Sequence, residues 1–100
     1  MAYDPGALNA SLAAAVGTDA LLMGELRVAF VEGVARQVDL MSRARCDANW
    51  QFAASRLKSL AASFGAVGMM ALADEALEGA PGDPVVLRKL RGALGDFAVH

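Results

Sequence analysis

The sequence predicts an all-α protein, an antiparallel up-down-up-down four-helix bundle with a short extra N-terminal helix. Hydrophobic residues make up 56% of the 100 residues, and β-branched residues other than valine are scarce. This composition favours helices over strands. Four stretches carry apolar residues at helical spacing, and the connections between them are short, as in bundles of neighbouring antiparallel helices.

The N-terminal segment, residues 1–17, is predicted to form a helix that packs on the bundle. Asp4 followed by Pro5 is a helix-start signal, because the carboxylate can cap free N–H groups and proline has no N–H to lose. Leucines at helical spacing give this helix one apolar edge, and Gly17 is placed to end it. A loosely attached arm is the alternative. The bundle itself is expected in residues 18–100.

The first bundle helix is predicted to begin at a cap on Thr18 or Asp19 and to extend to about Arg45. Its core stripe comprises Met23, Leu26, Phe30, Val34 and Met41. Charged residues on the opposite arc, such as the i,i+4 pair Asp39 and Arg43, mark the face that contacts water.

A second apolar flank on this helix consists of Val28, Val31, Ala35 and Val38. It makes the helix more hydrophobic than a two-sided surface helix requires, so we expect something to cover it. The N-terminal helix or a wide core is one explanation, and a partner-docking surface that includes Val28 and Val31 is the other.

The second bundle helix is predicted from Ala48 to about Ser63, with Asp47 as its N-cap. Counting at 3.6 residues per turn predicts the buried side as Trp50, Ala53, Ala54, Leu57, Leu60, Ala61 and Phe64. The opposite side is predicted to carry Ala48, Gln51, Ser55, Lys58, Ser59 and Ala62, with Phe52 also outward. The outward side is therefore smooth and nearly flat.

Two further helices complete the predicted bundle. The third, Ala66 to Glu78, is expected to bury Met69, Leu72, Ala73 and Ala76. Asp83 is the predicted N-cap of the last helix and Pro84 its first residue. The last helix is expected to bury Leu87, Leu90, Leu94 and Phe97.

Composition argues against several classes of function. A net charge of -2 offers no broad attraction for nucleic acid. No apolar run reaches 18 residues without a charge and no positive leader starts the chain, so we expect a cytoplasmic protein without a membrane segment. Cys46 is the single cysteine and His100 the single histidine, at the chain's end, so we expect neither metal nor cofactor.

Between Ala54 and Ala66 the sequence resembles the histidine-containing phosphotransfer (HPt) domains of bacterial multistep phosphorelays. Their motif is Ala-His-x-Leu-Lys-Gly, four further residues, and then an aromatic residue or leucine followed by Gly-Ala. The matching residues in this chain are Ala54, Leu57, Lys58, Phe64, Gly65 and Ala66. Ser55 takes the place of the phosphoacceptor histidine, and Ser59 takes the place of the glycine.

The resemblance implies a two-component signalling protein that binds a response-regulator receiver domain or a histidine kinase. Phosphotransfer needs an imidazole, whereas the hydroxyl of Ser55 is a weak nucleophile without an adjacent base. We therefore expect a pseudo-phosphotransfer module rather than an enzyme, as a monomer or weak dimer. Its expected partner-binding residues are Phe52, Ser55, Lys58, Ser59, Ala62, Val28 and Val31.

Two alternatives remain open for the function. The chain is an active phosphotransfer protein if Ser55 itself carries the phosphoryl group or if the natural gene product carries histidine at position 55. It is an unrelated helical scaffold or oligomerisation module if it merely shares the helical spacing.

Overall fold

The computed structural model describes residues 19–98. They form the helices α1 (Ala20–Arg43), α2 (Asp47–Ser63), α3 (Val67–Glu78) and α4 (Pro84–Ala98), with no strand in that range. Helix α1 packs against α2 and α4, and α3 packs against the same two helices. The predicted all-α class is confirmed, with a bundle-like arrangement of four helices. The predicted N-terminal helix lies outside the described residues.

Two of the predicted helix starts are confirmed by side-chain caps. Asp19, rather than Thr18, caps α1, because its Oδ1 accepts a hydrogen bond of 3.0 Å from the N–H of Leu22. Asp83 caps α4 in the same way, accepting from the N–H of Val85 at 2.9 Å. The carboxylates thus satisfy N–H groups that have no partner inside the helix.

The predicted start of α2 and the predicted end of α1 are both wrong by one or two residues. Cys46, with extended backbone, is the N-cap of α2 and makes no capping bond through its side chain. Asp47 is instead the first helical residue, where its negative charge still complements the helix dipole. Helix α1 ends at Arg43 and not at Arg45.

Helix α2 ends in a Schellman motif built on Gly65. The N–H of Gly65 donates to the carbonyl of Ala62 at 3.1 Å, and the N–H of Ala66 donates to that of Ala61 at 2.9 Å. Gly65 has φ of 67°, a left-handed conformation that residues with a Cβ rarely adopt. The Phe-Gly-Ala part of the motif therefore has a structural role in ending α2.

The core runs through all four helices. Its buried members are Phe30, Val34, Val38, Met41, Trp50, Ala53, Ala54, Leu57, Ala61, Ala66, Met69, Leu72, Ala73, Ala76, Val86, Leu87, Leu90, Ala93 and Phe97. Phe30 lies at its centre, with ring centroids 4.9 Å from Phe64 and 5.6 Å from Phe97. The indole N–H of Trp50 donates to the carbonyl of Ala76 at 2.8 Å, which ties α2 to α3.

Most of the predicted core positions are confirmed, and part of the second apolar flank of α1 also belongs to the core. Val38, a member of that flank, is buried, in agreement with the wide-core explanation. Because α1 packs against both α2 and α4, its buried face is wider than a single stripe. Five predicted core residues are only partly buried against the core: Met23, Leu26, Leu60, Phe64 and Leu94.

Leu57→Ala is expected to lower the free energy of unfolding by about 2 to 5 kcal/mol, because Leu57 is completely buried. Urea denaturation followed by circular dichroism measures this change. Ser55→Ala, on the exposed side of the same helix, is the matched control and should change the value by no more than about 0.5 kcal/mol. A loss for Leu57→Ala below about 2 kcal/mol, with helix content intact, would mean that α2 is turned differently.

Candidate partner-docking face of helix α2

The outward face of α2 is formed mainly by small side chains. Ser55, Ser59 and Ala62 are exposed to solvent, and Phe52 stands beside them with 63% of its surface exposed. Ala54 and Leu57, which flank Ser55 in the motif, are completely buried. The helix is therefore held in one rotation, with position 55 directed to solvent. We call the surface formed by Phe52, Ser55, Lys58, Ser59 and Ala62 the α2 face.

Ser55 has no histidine beside it among the residues that the structure describes. The chain's one histidine is His100, so no imidazole lies between residues 19 and 98 to accept the hydroxyl proton. A serine hydroxyl becomes a useful nucleophile at neutral pH when a general base lies beside it. Position 55 is accessible to solvent, and no imidazole from residues 19–98 can serve as its base.

Lys58 is half-buried at the edge of the α2 face and forms an ion pair with α3. Its Nζ lies 2.7 Å from Oδ1 of Asp74. Helix α3 contains three acidic residues and no basic residue. The three acidic residues lie in its C-terminal half, where the helix dipole disfavours negative charge. Lys58 from α2 and Lys89 from α4 each neutralise one of them, since Lys89 lies 3.1 Å from Glu75.

Phe52 borders a groove between α1 and α2 that helical periodicity did not predict. The guanidinium carbon of Arg56 lies 5.0 Å from the centre of the Phe52 ring, a cation–π contact. Across the groove lies Leu40, which is 43% exposed, and Asn49 lines the same depression. Leu40 belongs to α1, so only the folded arrangement of the helices reveals that it neighbours Phe52.

The structure does not bring Val28 and Val31 together with the α2 face. Val28 is 55% exposed, whereas Val31 packs partly against the core. Both line a shallow groove with Phe97, and the side chain of Arg27 donates to the carbonyl of Phe97 at 3.4 Å. This groove lies between α1 and α4, so the two valines belong to a separate surface.

Metal ligands are not clustered in the part of the chain that the structure describes. No three histidine, cysteine, aspartate or glutamate side chains within residues 19–98 stand close enough to share an ion. Cys46 is an exposed free thiol. None of the helices in this range is both long and apolar enough to cross a membrane.

No family model, curated protein or solved structure matches this chain. A functional interpretation therefore depends on the chain's own residues and their arrangement.

We expect that incubation with acetyl phosphate, or with a phosphorylated receiver domain, leaves no acid-labile phosphoryl group on this protein. The reason is that position 55 carries a hydroxyl and His100 is the chain's one histidine. Radiolabelled phosphate retained at neutral pH and lost in acid is the measurement. Acid-labile label that persists in a His100→Ala variant would contradict the expectation.

Proposed function

We propose that this chain is an HPt-like, up-down-up-down four-helix bundle of a bacterial two-component system that binds receiver domains in the cytoplasm. It does so without phosphotransfer of its own. The observation that carries the proposal is the exposure of Ser55 between the fully buried Ala54 and Leu57. Position 55, which corresponds to the phosphoacceptor histidine of the HPt motif, is thus accessible to a partner.

The other motif residues support the proposal because each helps to present the α2 face. Leu57 and Ala54 anchor the opposite side of the helix in the core. Phe64 packs on Phe30, and Gly65 ends the helix in a left-handed turn. These contacts support the proposal because they hold the α2 face in one orientation toward solvent.

The α2 face combines three properties that suit a protein partner. Ser55, Ser59 and Ala62 are short, so a partner's backbone can approach the helix closely. Phe52 supplies an exposed aromatic ring, the type of side chain that often dominates binding energy. Lys58 supplies a cation for the carboxylates or phosphoryl group of a receiver's phosphorylation site. A histidine kinase that presents a similar acidic surface is the other partner class.

The absence of an imidazole at position 55 separates this proposal from active phosphotransfer. A phosphohistidine retains a high transfer potential, and a serine hydroxyl provides neither that intermediate nor the necessary nucleophile. If the natural gene product carries histidine at position 55, the same surface would serve an active phosphotransfer protein. The phosphohistidine assay on that gene product distinguishes the two.

A scaffold or oligomerisation module is a second candidate, favoured by the exposed Leu40 and Phe52 on either side of one groove. Paired apolar side chains of this kind suit self-association. Analytical ultracentrifugation separates the candidates, because a stable dimer would indicate an oligomerisation module. A dimer that buries Phe52 would also compete with receiver binding.

Ser59→Trp is expected to abolish receiver binding, whereas Ser55→Ala should leave it nearly unchanged. Both serines are exposed, and a large ring one turn from Ser55 prevents close approach without disturbing the buried side of α2. Isothermal titration calorimetry against receiver domains from the source organism measures both affinities. Equal affinity of the parent and Ser59→Trp proteins for a receiver would mean that the partner binds elsewhere, with the Val28 and Val31 groove as the next candidate.

A further inference from the structure

Lys58 is the one lysine of the α2 face, and it already forms an ion pair with Asp74. The ammonium nitrogen lies 2.7 Å from the carboxylate, and the two side chains are 43% and 50% exposed. The pair is therefore formed in the free protein but remains within reach of a partner. A partner anion that approaches Lys58 meets a cation that already has a counterion.

We propose that Asp74 competes with the partner's anion for Lys58 and so sets how strongly negative a partner must be to bind. This inference rests on the proposed function of the α2 face. Lysine has three donors on a flexible stem, so its ammonium can be redirected from Asp74 to a partner's carboxylate or phosphoryl oxygens. Asp74 thus acts as a specificity-determining residue without contributing an attractive contact of its own.

Two electrostatic effects of Asp74 act in the same direction. Its carboxylate must release Lys58 before a partner can engage the ammonium. It also repels an acidic partner directly, since charges within about 8 Å interact appreciably at physiological salt. Removing the charge of Asp74 should therefore tighten binding. If Asp74 instead held Lys58 in a productive position, the same substitution would weaken binding, so the sign of the change distinguishes the two roles.

Glu75 provides a matched control on the same helix. Its carboxylate pairs with Lys89 of α4 at 3.1 Å, and its side chain is 42% exposed. Glu75→Gln makes the same change in net charge as Asp74→Asn, in the adjacent residue, but next to a lysine outside the α2 face. A general effect of net charge would appear equally in both variants.

The experiment is calorimetric titration of the full chain with the receiver domain that binds the parent most tightly, in its unphosphorylated form. Asp74→Asn is expected to tighten binding about 2- to 5-fold, the range for one exposed ion pair. Glu75→Gln should change affinity by less than about 2-fold. In a Lys58→Ala background, the part of the gain that comes from competition for Lys58 should disappear, and only the part that comes from direct repulsion should remain. The gain should also shrink as salt is raised.

Unchanged or weakened binding by Asp74→Asn overturns the inference, as does an equal gain from Glu75→Gln. The proposed function survives those outcomes if Ser59→Trp still blocks the same receiver. If no receiver from the organism binds the parent chain, the proposed function and this inference fall together.

Discussion

The packing of the buried side of α2 against α1 is the constraint on which the rest of the structure depends. A Cβ added at Gly33 would lie 2.8 Å from Cδ2 of Leu60, so the missing side chain at Gly33 leaves room for the tip of the Leu60 side chain from α2. Ala53, Ala54 and Ala61 are the small residues on the buried side of α2, which also carries the large side chains of Trp50 and Leu57. Burial of this side in the core fixes the rotation of α2.

That rotation connects stability to the proposed function. Burying Leu57 and Ala61 on one side directs Ser55 and Ser59 to solvent on the other. The same helix brings Lys58 to the acidic end of α3, where its pairing with Asp74 offsets charge at a helix C-terminus. Lys58 therefore has a structural partner in the free protein, and recruiting it for binding means giving up that partner.

Contacts along one helix were predictable from the sequence, and contacts between helices were not. The four predicted buried residues of α3 and the caps Asp19 and Asp83 follow from helical periodicity and local hydrogen-bonding rules, and all are confirmed. Periodicity placed Val38 on a flank that needed a cover but did not identify the cover, because its burial depends on how many neighbours α1 has. The Lys58–Asp74 pair and the proximity of Leu40 to Phe52 join different helices, so no spacing rule indicates them. The function of the α2 face is inferred from a short motif together with its exposure.

Amide hydrogen exchange, compared between the free chain and its mixture with a binding receiver domain, tests the role of the α2 face most directly. We expect added protection to concentrate in peptides covering residues 52–62, with the segment around Asp74 at its border. The groove near Val28 and Phe97 should exchange at the same rate in both samples. Protection confined to that groove, with residues 52–62 unchanged, would contradict the assignment of the α2 face as the docking surface.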